Sequence, residues 1–499
     1  MKNDDKKVRI KLERHIWPDE AHRIEDKRNK RLVTVFVIVS MLFVFVVGWL
    51  IGSARPIIIN PTPEQQTESK LDKILGIMSN NWYFAKDDEK IVDHLLDQAL
   101  YGMTSNEVDP HTTYLSSDEL QYFMQSINMN FVGIGVQYIS SDGLNMIDRV
   151  FKNSPAEEAG VLPGDIINKI DGVSVEGLTS DDIKDMVRGE EGSKVVIEFL
   201  RQGTPIELEI TRREVYGTAN GKMVEDGIGY IEIYQFGDST AEEVGAYLQD
   251  LTDSGMTKLI IDLRDNGGGY LDALVDIASY FVDKNEIVMK QEYADGTIRE
   301  SYAKEGKFTN IDEIVILVNE NTASASEVLT LTLEELRDDV TVLGTTTYGK
   351  GTVQITQPFE DGSALKYTTS KWLSPSGKSI NGVGIVPDVE IRLHDVLYES
   401  YVTLEEGMEF KIDQVSNYVK IIQEGLDFLD YSIDRKDGYF DKSTETAIKK
   451  FEEEHNLEVD GILDTTTFDA ILSSITKTWS MSKDKDIQYH AAIDLLNEQ

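Results

Sequence analysis

The sequence predicts a multidomain chain: a single N-terminal transmembrane helix, a helical arm, a β-rich domain, an α/β core and a small α-helical C-terminal module. Three observations carry this. Residues 32–51 form an uncharged run of twenty residues rich in Val, Phe and Leu. Apolar residues then recur at helical spacing over 71–124. From residue 214 onward, buried-strand patterns alternate with helical ones, as in a sheet covered by helices.

Composition narrows the function. The 499 residues leave room for several domains. A formal charge of −40 argues against a nucleic-acid partner, because phosphate binding needs clustered basic groups. With no cysteine there are no disulfides, thiol nucleophiles or Cys-based metal sites. No metal and no organic cofactor is expected.

Residues 1–31 hold eleven Lys/Arg against seven Asp/Glu and read as a cytoplasmic tail. Twenty helical residues span about 30 Å, the thickness of a bilayer's hydrocarbon core. Lys27, Arg28, Lys30 and Arg31 precede the run, which keeps the N-terminus inside and sends the remainder outward. Residues 52–70, with Pro56, Pro61 and Pro63, read as an extended linker. Over 71–128 the stripes Leu71, Ile74, Leu75, Met78 and Ile91, Leu95, Leu96, Ala99, Leu100 predict helices. Asp109-Pro110-His111-Thr112-Thr113-Tyr114 interrupts them, with His111 read as a loop or capping residue in preference to a base.

Residues 129–213 open on Phe131-Val132-Gly133-Ile134-Gly135-Val136 and close on strand-like Val195–Leu200 and Ile206–Ile210. Between them lie Ser154-Pro155-Ala156-Glu157-Glu158-Ala159-Gly160-Val161 and Pro163-Gly164-Asp165-Ile166-Ile167. This ordered series resembles a PDZ domain. Gly133, Ile134, Gly135 and Val136 would then present amides to a peptide's terminal carboxylate while the adjoining strand edge accepts the peptide. Arg188, before Gly189-Glu190-Glu191-Gly192, is a candidate for coupling this domain to the core, an exposed surface arginine being the alternative.

Residues 214–398 carry the chemistry. An apolar run, Ile314-Val315-Ile316-Leu317-Val318, leads into Glu320-Asn321-Thr322-Ala323-Ser324-Ala325-Ser326-Glu327 and then into a helical pattern. Small residues around a hydroxyl at such a turn allow a sharp bend, and the following helix points its amides there. A serine needs a base. Lys350 lies between two glycines in Tyr348-Gly349-Lys350-Gly351-Thr352-Val353-Gln354, and desolvation lowers a lysine pKa towards the working range. Gln354 can orient it. Upstream, Asp265-Asn266-Gly267-Gly268-Gly269 ends a strand, so the amides of Gly268 and Ala325 are candidates for an oxyanion hole. No Gly-Lys-Ser/Thr follows these glycines, which sets a phosphate cradle aside.

Together these segments resemble the carboxyl-terminal processing (tail-specific) serine proteases, as does the closing motif from Trp372-Leu373-Ser374-Pro375 to Val386-Pro387-Asp388. The resemblance implies an α/β serine protease core with Ser324 as nucleophile, Lys350 as general base and Gln354 in support. It also implies a homodimer formed through the helical arm. Thr322 stands where the family usually has serine, Gly267 stands for proline, and the interval from Ser324 to Lys350 is about one residue longer than usual. Ser326 is therefore the alternative nucleophile, with Ser324 favoured.

After a linker at 399–414, residues 415–475 contain two similar units, Asp437-Gly438-Tyr439-Phe440-Asp441 and Asp460-Gly461-Ile462-Leu463-Asp464, each before a helical pattern. They resemble the small peptidoglycan-binding module of wall enzymes. The twelve-residue loop of a calcium site is absent. Residues 476–499 end in a helix. The expectation is a membrane-anchored serine endopeptidase facing outward, acting on protein or peptide substrates with free C-termini. The alternatives are a catalytically silent wall-bound adaptor, and a Ser-His enzyme using His111 or His394.

Overall fold

The computed structural model describes residues 69–498 apart from 130, 142, 216, 305, 400, 401 and 406. The tail, the span at 32–51 and nearly all of the 52–70 linker lie outside the described residues. Among the described residues no helix is long and apolar enough to cross a membrane. The chain divides into two compact units, 1–92 and 93–499. The first contains α1 (Lys70–Asn81), started by a Ser69–Asp72 capping box, and the beginning of α2 (Ile91–Thr104).

In the second unit, strand β1 (Thr113–Leu115) leads to α3 (Ser117–Asn128), capped by Ser116 and Glu119. The β-rich domain follows: β2 (Phe131–Gly133), β3 (Val136–Ser141), β4 (Leu144–Val150), α4 (Pro155–Ala159), β5 (Ile166–Ile170), β6 (Val173–Ser174), α5 (Ser180–Val187), β7 (Lys194–Arg201), β8 (Thr204–Thr211) and β9 (Arg213–Val215). Its main sheet runs β3-β4-β5-β7-β8, which leaves β3 at an edge. Alternation along β7 turns Val195, Ile197 and Phe199 inward, all fully buried, against Ile147, Ile170 and Ile183. The phenol of Tyr138 on β3 donates to the Ser180 carbonyl at 2.8 Å, fixing the edge strand to the start of α5.

The core is an open α/β sheet built from β10 (Ala219–Glu225), β11 (Ile228–Ile233), α6 (Thr240–Asp253), β12 (Lys258–Asp262), α7 (Leu271–Phe281), β13 (Ile287–Tyr293), β14 (Ile298–Tyr302), β15 (Glu313–Val318), α8 (Ala325–Leu336), β16 (Val340–Gly344), β17 (Thr352–Pro358), β18 (Ala364–Leu373) and β19 (Val389–Glu390). Strands run in the order β10-β11-β12-β15-β16-β19, all parallel except β10. Helices α6, α7 and α8 cover the face that carries Ile231, Leu259, Ile261, Ile314, Ile316 and Val342. A second sheet, β1-β18-β13-β14 with β17 on the other side of β18, takes its edge strand from the segment before α3.

The C-terminal module packs α9 (Asn417–Phe428), α10 (Lys442–Glu454) and α11 (Thr465–Met481) around Ile422, Leu426, Phe440, Phe451 and Phe468. Asp441 and Asp464 cap α10 and α11, so the repeated Asp-Gly units are helix starts. The same cluster includes Leu144, Met146 and Ile166 of the β-rich domain. Finally α12 (Ile487–Glu498) lays Tyr489, Ala492, Ile493 and Leu496 on the remaining face of the core sheet, against Tyr230, Ile260, Val315, Leu317 and Leu343. Arg264, after β12, ties down its start through Asp486 at 2.8 Å and Gln488 at 3.0 Å.

Candidate active site

The turn from β15 to α8 places Ser324 at φ 56°, ψ −118°, where a side chain is strained by roughly 1–3 kcal/mol. Strained backbone of this kind marks a residue held for a purpose. Ser324 is partly exposed at the N-terminus of α8, whereas Ser326 is fully buried and its hydroxyl donates to the Asn266 carbonyl at 3.0 Å. Of the two serines, Ser324 is the one a substrate can reach. Thr322 is also fully buried, and its hydroxyl donates to the Leu263 carbonyl at 2.8 Å and accepts from the Asn319 amide. The hydroxyl that stands for serine at this position is thus a structural tie.

Glu327 holds the turn together. Its carboxylate is fully buried and accepts the amides of Ser324 (2.9 Å), Gly349 (2.6 Å) and Lys350 (2.9 Å) and the Thr347 hydroxyl (2.6 Å). One side chain therefore fixes the backbone of the serine and of the lysine together. The Lys350 carbonyl accepts from the indole of fully buried Trp372 at 2.7 Å. Both flanking glycines are required by the closing motif: a Cβ on Gly349 would lie 2.7 Å from the Gly384 nitrogen, and one on Gly351 would lie 2.4 Å from the Asn381 Cβ.

Burial pushes the Lys350 pKa below the ordinary lysine value, the nearby Lys366 cation pushes it further, and Glu327 opposes both. Lys366 is itself lowered by burial, with Asp109 opposing. On β17, the Gln354 amide nitrogen donates to the hydroxyls of Thr352 and Thr368, each at 3.0 Å. With both amide hydrogens committed, Oε1 is the atom of this side chain that can accept from an ammonium. His111 is half-buried, and its pKa is lowered by burial and then by the Lys350 charge, which sets its ring in the same neighbourhood. His394 pairs with Asp427 of α9 at 3.1 Å and packs on Phe428, in the C-terminal module.

Gly268 lies where the proposed oxyanion hole needs it: a Cβ there would be 2.8 Å from the Ser324 Cβ and 2.9 Å from the Ala325 nitrogen. Its own amide, however, donates to Asn266 Oδ1 at 2.9 Å. Asn266 is fully buried, and its side-chain amide donates to the Ile233 carbonyl at 2.7 Å. In this arrangement Ala325 is the better-placed donor, at the N-terminus of α8, and Gly268 joins it only by exchanging its Asn266 bond. A Cβ on Gly267 would meet nothing within 4 Å, so this position has room for a side chain.

In the β-rich domain Gly135, at φ 80°, packs on Ser154, and the Ile134 carbonyl accepts from the Ala156 amide at 2.8 Å. The Ile134 side chain is a core residue, so only backbone at this position can meet a ligand. Gly133 pairs with Arg213, and Val136 begins the edge strand β3. Arg188, the residue after α5, lies over the Tyr122 ring of α3, with 4.9 Å to the centroid, and the Tyr122 phenol donates to Asp185 at 3.0 Å. Arg188 thus faces the helix before its own domain. That helix in turn reaches the core through Asn128, which accepts the Asp238 amide at 3.1 Å.

Sequence reasoning assigned no role to Glu327 or Asn266. The Ser-x-x-Glu spacing of a capping box was the available signal for the first; the second has none, because it ties its own glycine turn to Ile233 on a strand 33 residues away.

Residues 227–391 match the model of peptidase family S41, residues 146–201 a PDZ domain and residues 415–471 a peptidoglycan binding domain. A probable CtpA-like serine protease of Staphylococcus haemolyticus is 34% identical over 459 residues, covering 90% of this chain and 91% of that protein. The carboxy-terminal processing protease CtpA of Bacillus subtilis is 32% identical over 479 residues, 95% of this chain and 100% of that protein. Among solved structures, the photosystem II D1 C-terminal processing protease is 26% identical, with a TM-score of 0.41 over 61% of this chain and 83% of its own. The chain belongs to peptidase family S41, as a CtpA-like carboxy-terminal processing serine protease that carries a PDZ domain and a peptidoglycan-binding domain.

Proposed function

We propose that the protein is a membrane-anchored endopeptidase of the extracytoplasmic space that captures the free C-terminal tails of its substrates and cleaves peptide bonds by a Ser-Lys mechanism. Neutral Lys350 takes the proton of the Ser324 hydroxyl, whose oxygen attacks the peptide carbonyl. The tetrahedral oxyanion is held by Ala325 and, after its exchange, by Gly268. The lysine returns the proton to the leaving amine, and water, deprotonated by the same lysine, releases the acyl group. The observation that carries this reading is the buried Glu327 carboxylate, which fixes the amides of Ser324 and Lys350 together.

Tail capture uses the free edge of β3 and the Gly133–Val136 turn for main-chain pairing. The span at 32–51 anchors the chain with its N-terminus in the cytoplasm, and the C-terminal module holds it at peptidoglycan. A homodimer is supported by exposed Ile74, Ile77, Tyr83 and Phe84 in the first unit. Cleavage of an unstructured protein by the ectodomain tests the assignment. Ser324→Ala and Lys350→Ala abolish turnover and Ser326→Ala retains it. Cleavage surviving in Lys350→Ala transfers the base to His111, and an inactive wild type favours an adaptor.

A further inference from the structure

The loop before β1 runs from the helical segment directly onto the strand behind Gln354. Asp109 accepts the Thr112 hydroxyl at 2.5 Å, the His111 amide at 3.2 Å and, across 259 residues of sequence, the Thr368 hydroxyl at 3.0 Å. The Thr368 amide donates back to the Thr112 hydroxyl at 3.1 Å. Thr368 lies opposite Gln354 in the β17–β18 ladder, and its hydroxyl accepts from the Gln354 amide at 3.0 Å. Asp109, Thr368 and Gln354 thus form one directed chain. The carboxylate accepts only, so the Thr368 proton must point at Asp109, and the hydroxyl oxygen then faces Gln354 as an acceptor. That polarity fixes which end of the Gln354 amide is nitrogen, and therefore where its carbonyl oxygen stands.

We propose that Asp109, acting through the Thr368 hydroxyl, is a positioning residue of the catalytic site, so that the segment ahead of the PDZ domain supplies a working part of the protease. The inference rests on the Ser324–Lys350–Gln354 reading given above. Without the Asp109–Thr368 bond the hydroxyl can turn, the Gln354 amide can flip, and the acceptor that the Ser324–Lys350–Gln354 reading assigns to the Lys350 ammonium is replaced by a donor. Hydrogen bonds to Asp109 outweigh its burial and hold its carboxyl below the usual range, so it is an acceptor at any working pH. Pairing of Thr113 with Lys366, of Tyr114 with Leu365 and of Leu115 with Ala364 seats the loop so that the chain can form.

The test uses the full chain with a soluble peptide substrate, and compares wild type, Thr368→Val, Thr368→Ser and Asp109→Asn, with Ser324→Ala and Lys350→Ala as references. Thr368→Val keeps shape and charge but deletes the link. It is expected to lower kcat on the order of 10- to 100-fold with KM within about twofold, as for a small misplacement of a catalytic group. Because the ammonium loses an acceptor, the rising limb of kcat against pH moves to lower pH. Asp109→Asn reproduces the fall in kcat, and Thr368→Ser regains most of the activity. A merely structural role would lower thermal stability or the titratable active fraction and leave the limb in place; that result, or unchanged kcat in Thr368→Val, overturns the inference. Turnover by Ser324→Ala or Lys350→Ala would instead refute the underlying mechanism, so the two failures are distinguishable.

Discussion

The carboxylate of Glu327, on the first turn of α8, accepts the amide hydrogen of Lys350 at 2.9 Å, although the two residues lie on opposite sides of β16. The nucleophile's helix and the base's loop are therefore one rigid piece. Replacing Glu327 with alanine leaves two buried donors, the Thr347 hydroxyl and the Gly349 amide, and two part-buried ones without their acceptor, at a cost of about 1–3 kcal/mol for each buried one. We predict a lower melting temperature and loss of peptide cleavage in Glu327→Ala. Calorimetry and a cleavage assay check this together, and an active, equally stable variant would contradict it.

Burial and the neighbouring Lys366 cation hold the Lys350 pKa below the ordinary lysine value. On the proposed Ser-Lys mechanism the base works when neutral, so we predict that activity rises with pH through a limb that lies below the ordinary lysine range. Lys366→Met removes a neighbouring cation and moves that limb to higher pH. Stability follows the same sign: the unfolded lysine binds its proton more readily than the folded one, so unfolding free energy rises with pH between the two values. Rate profiles of wild type and Lys366→Met read the shift directly.

Adjacent glycines should behave in opposite ways. Gly267→Ala places its methyl in open space and should keep activity within about twofold. Gly268→Ala forces a Cβ against Ser324 at φ 101° and should lower kcat/KM by on the order of 100-fold. Equal effects at the two positions would mean that the loop is not held as described.

The C-terminal helix should be indispensable to the protease core. Ile493→Ala or Leu496→Ala should cost about 2–5 kcal/mol each, by cavity formation over Tyr230 and Leu317. Truncation after residue 482 should give insoluble protein. Denaturant melts of the point variants supply the magnitude.

Much of this was legible in residue order. The apolar run at Ile314–Val318, the serine turn and the Gly-Lys-Gly loop are local patterns, and local patterns survive into structure. The Asp-Gly units were helix starts for the same reason. What could not be read were contacts that close over long intervals, and how an irregular turn spends its own amides. Gly268 was a sound candidate for an amide donor, but the capture of that amide by Asn266 depends on how a five-residue turn folds back on itself. Glu327 carried no assigned role in the sequence, because three of its four partners lie in the Thr347–Lys350 loop twenty or more residues on. The final helix was expected from the sequence, and nothing local to it said which sheet it would cover.

Leu144, Met146 and Ile166 belong by sequence to the PDZ domain, and by packing to the core of the C-terminal module. The Ser473 hydroxyl adds a bond to the Gly164 carbonyl. A module wired in this way is not cargo on a tether. It cannot be exchanged for another module without re-facing the PDZ domain. Whatever grips this enzyme at its carboxyl end therefore has the PDZ domain directly in hand.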